Sequence, residues 1–176
     1  MSKDSGAGSD LEALKLAMET EKRGLETYLN FAHQTGDETG KNMFILLARD
    51  ELEHFEVLEK ALSHLELSGR WADIEVRKSL VARVVPKLLG RDVRVKGKRG
   101  IDQVQALQAA LDQERRSIEL YRSQLATATN PSARKTFRKL MEMEEAHFDI
   151  IQAELDNITE TGFWFQVPEF NLEEEP

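Results

Sequence analysis

A chain of 176 residues with 40% hydrophobic content is long enough for one sizeable core and short for two. It contains no cysteine, which excludes disulfides, zinc thiolate sites, iron–sulfur centres and thiol chemistry within the chain, and it has no 18-residue apolar run that could cross a membrane. A net charge of −8, 32% charged residues and only four prolines suit a soluble, cytoplasmic, all-α protein with polar outer faces.

In chain order, residues 1–9 are polar and small, and are expected to form a disordered tip. A first helix then starts at Ser9 or Asp10, both N-cap residue types, and runs to about Gln34. Its core-facing stripe reads Leu14, Ala17, Glu21, Leu25, Tyr28 and Ala32, so a carboxylate occupies a position where burial favours an apolar group. Tyr28 stands two turns from Glu21 on the same face, where its hydroxyl can hydrogen-bond a buried carboxylate. Thr35-Gly36-Asp37 reads as a turn, and a second helix runs from Thr39 or Lys41 to about Leu67. Its stripe is Phe44, Leu47, Glu51, His54 and Leu58, with two polar groups among three apolar ones. Glu21 and Glu51 each lie fifteen residues from Gly36, which puts them at one height, roughly 22 Å from the turn.

The segment 68–100 is a long basic crossover between two helical hairpins, 10–67 and 101–158. Residues 70–100 hold ten Lys or Arg against three Asp or Glu, a net +7 that leaves −15 for the rest of the chain. Leu80–Leu89 fits a short helix ended near Pro86 or Gly90. The basic run lacks interleaved aromatics and the chain is acidic overall, so a face that docks on the acidic bundle or on a second subunit is favoured over nucleic-acid binding. The third helix carries Val104, Leu107, Leu111, Glu114, Ile118, Tyr121 and Leu125. After Asn130, Pro131 opens the last helix, whose stripe is Phe137, Leu140, Glu144, His147 and Ile151. Residues 159–176 form a tail with Phe163, Trp164, Phe165, Val167 and Phe170, too apolar to stay free and expected to dock on the bundle or on a neighbouring subunit.

An offset of 93 residues relates the two hairpins. It maps Glu21 onto Glu114, Tyr28 onto Tyr121, Phe44 onto Phe137, Leu47 onto Leu140, Glu51 onto Glu144 and His54 onto His147. A lone Glu-x-x-His on a charged helix is usually solvated; two in register, each facing another stripe glutamate, are not explained that way. Packed face to face, the hairpins form a four-helix bundle with four carboxylates and two imidazoles at its centre. Two divalent cations would neutralise those carboxylates, whereas without them four buried like charges must partly protonate. Mixed oxygen and nitrogen donors suit iron or manganese; zinc fits as well but supports no redox chemistry.

The motifs EKRGLETY, DELEH, ERRSIELY and EEAH, spread over residues 10–158, make the chain resemble the rubrerythrin family of the ferritin-like di-iron superfamily, in a form without the rubredoxin domain. The resemblance implies a ferritin-like bundle with two iron ions and no haem. Glu21 and Glu114 would be terminal ligands, Glu51 and Glu144 bridges, and His54 and His147 ligands to one metal each, with Tyr28 and Tyr121 orienting carboxylates. It also implies reduction of hydrogen peroxide, with dioxygen as the other oxidant considered, and electrons from an external donor of rubredoxin type. A further carboxylate that rubrerythrins commonly carry on the third helix is replaced by Ser117, whose repeat partner is Gly24; these small residues are expected to leave room for the oxidant beside the metals. A ferroxidase is the alternative within the superfamily, although bacterioferritin's haem-ligating Met is replaced by Leu52. A metal-free interaction bundle is the alternative of another class. The long crossover suits a homodimer, including one with exchanged hairpins.

Overall fold

The computed structural model describes residues 4–77, 79–81 and 101–161, with side chains from Ser9 to Arg77, Ser79 to Val81 and Gln103 to Glu160. Four helices follow in order: α1 (Asp4–Gln34), α2 (Glu38–Ser68), α3 (Ile101–Thr127) and α4 (Pro131–Thr161). None of them is long and apolar enough to cross a membrane. The first helix begins five residues before Ser9, so residues 4–9 are helical rather than part of a disordered tip. The packed part of α1 supplies the nucleus, and extending an existing helix outward fixes only one residue per added hydrogen bond.

Local chemistry sets the other helix ends. Asp37 has extended backbone (φ −87°, ψ 129°), and its Oδ1 accepts from the amides of Thr39 at 2.9 Å and Gly40 at 3.2 Å, which satisfies two otherwise orphaned donors of α2. At the other end Gly69 takes the left-handed conformation (φ 66°) that a side chain would oppose, and its amide donates to the Leu65 carbonyl. Asn130 repeats the Asp37 device for α4, accepting from Ser132 and Ala133. The Arg134 guanidinium reaches back to the carbonyls of Leu125 and Ala128 at the end of α3, tying the second turn together.

α1 packs along α2, α3 packs along α4, and the two hairpins meet through α1 and α3. Their apolar side chains form two clusters. The first joins Tyr28 and Ala32 of α1, Phe44 and Leu47 of α2, Leu107 and Leu111 of α3, and Ile151 and Ile158 of α4. The second joins Leu14, Leu58, Tyr121, Phe137 and Leu140. The end of α1 thus meets the start of α2, the start of α3 and the end of α4. This places α2 and α3 parallel, so their connection must travel the length of the bundle. Between the clusters lies a polar layer. Full burial of a side chain such as Phe44 or Phe137 contributes about 1.5–3 kcal/mol, so an apolar cluster on each side offsets the cost of burying that layer.

The crossover begins by packing on the bundle. Trp71 is buried, its indole N–H donates to Asp10 of α1 at 2.8 Å, and its ring meets Phe137 of α4 edge-on at 5.5 Å. Leu80 and Val81 are helical, matching the expected start of a short helix. The rest of the expected helix, the basic run over 82–100 and the aromatic tail over 162–176 lie outside the described residues.

Candidate metal centre

All six residues singled out as ligands lie in the polar layer. Glu21, Glu51, His54, Glu114, Glu144 and His147 are at most 2% exposed. Glu21, Glu51, His54 and Glu144 offer four donor atoms within 4.8 Å of one another, and so do Glu51, Glu114, Glu144 and His147. Donors bound to one ion at about 2.1 Å lie within about 4.2 Å of each other, so each set is close to the spacing a single ion needs. Glu51 and Glu144 belong to both sets. The hairpin register expected from Gly36 holds, since Glu21 and Glu51 fall in one donor set; His54 Nδ1 is 3.2 Å from Glu21 Oε2 and 2.9 Å from Glu144 Oε1. His147 Nδ1 lies 3.6 Å from Glu51, 3.7 Å from Glu144 and 3.8 Å from Glu114. The two imidazoles face each other, 5.6 Å apart and 16° from parallel.

Tyr28 and Tyr121 cross between the hairpins. The Tyr28 hydroxyl donates to Glu114 Oε1, and the Tyr121 hydroxyl donates to Glu21 Oε1. Each tyrosine therefore serves the carboxylate of the other half. α1 and α3 run antiparallel, so the two-turn spacing between Glu and Tyr on each is matched in reverse on its partner. Burial, reinforced by Glu114 for Tyr28 and by Glu21 for Tyr121, pushes both phenols well above their usual range and keeps them protonated as donors.

Gly24 behaves differently from its sequence expectation. A Cβ built there would lie 3.0 Å from Glu51 Cδ and 3.1 Å from Glu51 Oε2, so the room at this position already holds the Glu51 carboxylate. The repeat partner Ser117 is buried. His33 and His64, which have no histidine counterpart in the 93-residue repeat, are exposed.

So many buried ionisable groups cannot all carry charge. Burial, followed by the charge of Glu144, pushes Glu51 and Glu114 well above the usual carboxylate range. Burial also acts to raise Glu144, but His54 and His147 outweigh it and hold this carboxyl well below the range. For His54, burial opposes protonation, yet Glu144 and Glu21 prevail and push the imidazole up to about 10. His147 is raised as well, its burial outweighed by the hydrogen bond to Asp50 and by the nearby carboxylates of Glu144, Glu51 and Glu114. In the metal-free chain, protons supply the positive charge that two divalent cations could supply instead. Even so, His54 Nε2, Glu114 Oε2, both Glu144 oxygens and His147 Nδ1 are buried without a hydrogen-bond partner among the described residues, Glu144 Oε1 approaching His54 without hydrogen-bond alignment. Buried polar atoms are nearly always paired, and a metal ion satisfies orphaned carboxylate oxygens and an imidazole nitrogen together.

Asp50 is the residue the repeat overlooked. It is fully buried and accepts from His147 Nε2 at 3.1 Å, from Ser79 Oγ at 2.5 Å, and from the amides of Leu80 and Val81 at 2.9 and 3.2 Å. Burial acts to raise its carboxyl, but these donors, His147 foremost, bring it below the ordinary value. A signal was present in the apolar row Met43, Leu46, Asp50, His54, Val57 and Ala61, all buried. Its repeat partner is Met143, so a search for polar residues common to both halves passes over it.

The geometry agrees with the comparisons to known proteins. No curated protein sequence matches the chain. Among solved structures, it is similar to a two-domain protein from Anabaena variabilis containing DJ-1/ThiJ/PfpI-like and ferritin-like domains, with 17% identity and a TM-score of 0.65. The match covers 98% of this chain and 41% of that one, so the chain spans less than half the length of that protein, and the likeness shows a shared ferritin-like fold. The family model Rubrerythrin matches residues 12–155, which begin before Glu21 and end after His147. With paired carboxylates and histidines buried at the middle of a four-helix bundle and a family match over most of its length, the chain belongs to the rubrerythrin family.

Proposed function

We propose that this chain is a non-haem di-iron oxidoreductase that reduces hydrogen peroxide in oxidative-stress defence, drawing electrons from an external donor of rubredoxin type. The observation that carries the reading is the pair of buried donor sets sharing Glu51 and Glu144. Glu21 and His54 would complete the set for one ion, Glu114 and His147 the set for the other, and Glu51 and Glu144 would serve both. Iron bound there would supply Lewis acidity and one electron from each ion, while two protons and two electrons per peroxide balance the formation of two waters. The chain's own part is to hold that layer rigid and dry. Tyr28 and Tyr121 donate to Glu114 and Glu21 and so aim their remaining oxygens, and the two apolar clusters exclude bulk water. With no cysteine in the chain, reducing equivalents come from elsewhere. A cytoplasmic homodimer, open to exchange of hairpins, is the proposed working form, and light scattering would give its mass.

Metal analysis of protein from iron-replete cells, then anaerobic ferrous reconstitution and stopped-flow mixing with hydrogen peroxide or dioxygen, tests the reading. The expected result is about two irons per chain, oxidised much faster by peroxide. Continued iron uptake with mineral growth would replace this reading by ferroxidase activity, and no stoichiometric metal would leave an interaction bundle. Glu51→Ala and Glu144→Ala should each lose both metals and activity together, because each carboxylate belongs to both sets. Retention of two metals in either variant would remove the bridging assignment.

A further inference from the structure

The 93-residue repeat makes the two halves of the centre look alike, but their histidines are not supported alike. In one half the Asp50 carboxylate accepts the Nε2 proton of His147 and is itself held by Ser79 Oγ and the amides of Leu80 and Val81. A proton fixed on Nε2 leaves Nδ1, which faces Glu51, Glu114 and Glu144, as the nitrogen with the free lone pair. In the other half the position equivalent to Asp50 is Met143. Here His54 Nε2 is buried without a hydrogen-bond partner among the described residues. His54 and Met143 also line a cavity of about 120 Å³, together with Val57, Glu53, Lys60 and Arg77.

We propose that the two metal positions are unequal: the Glu51, Glu114, Glu144 and His147 set is the tight one, and the Glu21, Glu51, His54 and Glu144 set is the weaker, exchangeable one. Asp50 is the positioning residue behind the difference, and Met143 is the reason the other half lacks it. A carboxylate behind a ligating imidazole increases its basicity, selects its tautomer and holds its orientation, and losing such a partner typically costs about 10- to 100-fold in metal affinity. Among the described residues His54 Nε2 has no such partner. Its ring is held from the Nδ1 side, by Glu21 and Glu144, and the cavity on its other side gives it space to turn away when the ion leaves. Because three of the four groups bonded to Asp50 belong to residues 79–81, placement of the crossover and affinity at the tight position are coupled through this one carboxylate. The inference rests on the dimetal reading above.

Calorimetric titration of Co²⁺ into the chelator-treated full-length chain tests it without recourse to activity. Two resolved steps are expected, about 10- to 100-fold apart in affinity. His147→Ala should abolish the tighter step and His54→Ala the weaker one. Asp50→Asn should weaken the tighter step by about 10-fold or more while leaving the other in place. Met143→Asp should strengthen the weaker step, a gain that mere disturbance of the core would not produce. Two equal steps in the wild-type chain, or loss of the tighter step in His54→Ala, would overturn the inequality and leave the dimetal reading standing. Absence of any Co²⁺ binding would overturn both.

Discussion

At the scale of single residues, the centre depends as much on what is small or apolar as on what ligates. Gly24 has no Cβ where Glu51 Cδ and Oε2 would lie 3.0 and 3.1 Å away. A methyl group there would displace the carboxylate, which is the mobile end of its side chain, rather than the backbone. Replacing an interior helical glycine by alanine also removes a penalty of about 0.5–1 kcal/mol. Gly24→Ala should therefore keep or slightly raise the thermal stability of the metal-free chain while weakening uptake of both metals. A calorimetric melt and a metal titration on the same sample separate the two effects, and unchanged uptake of both metals would mean that Glu51 is not shared. The partition between Asp50 and Met143 belongs to the same scale, since one substitution in a repeated pattern decides which imidazole is anchored.

At the scale of helices, the caps determine where each hairpin turns and so bring the glutamates level. Asp37 satisfies two amides at the start of α2, fourteen residues before Glu51. Its removal should cost about 1 kcal/mol, the ordinary worth of such a cap, because Asp37 stands about 21 Å along the helix from Glu51 at ~1.5 Å per residue. Asp37→Ala is expected to lower the denaturant midpoint with little change in metal stoichiometry. Lost stoichiometry would show instead that the turn sets the register of Glu21 against Glu51. Trp71 plays a different part, pinning the start of the crossover to α1 through Asp10 and to α4 against Phe137.

At the scale of the molecule, the polar layer links stability to pH. His54 has a folded value of about 10 against an ordinary 6.5, so its stabilisation of the metal-free chain is fully present below 6.5 and is lost as pH rises through 10. Glu51 and Glu114 are raised too and act in the same direction, beginning above 4.5. Glu144 and Asp50 are lowered and act oppositely, their contributions present above 4.5 and 3.8 and lost as pH falls. The metal-free chain should thus melt at progressively lower temperature between neutrality and pH 10. The metal-loaded chain should change much less, because bound cations replace those protons. Melting curves at a series of pH values, with and without Zn²⁺, check both halves, and a flat metal-free profile would contradict the first.

Much of this arrangement was legible in the sequence because it depends on periodicity. Helical spacing placed Glu21, Glu51, His54, Glu114, Glu144 and His147 on core-facing stripes, and equal distances from Gly36 brought Glu21 level with Glu51. Repetition at 93 residues distinguished a built centre from chance charges. Contacts across the bundle were not legible that way. That Tyr28 serves Glu114 and Tyr121 serves Glu21, that Glu51 fills the space at Gly24, and that the crossover's Ser79, Leu80 and Val81 hold Asp50 behind His147 all depend on which elements meet and in which direction. The pattern of residue types along each helix determined by itself what had to be buried, because burial follows the helical period. Only the tertiary structure decided which buried group answers which, because a hydrogen bond depends on a few tenths of an ångström between residues distant in the chain.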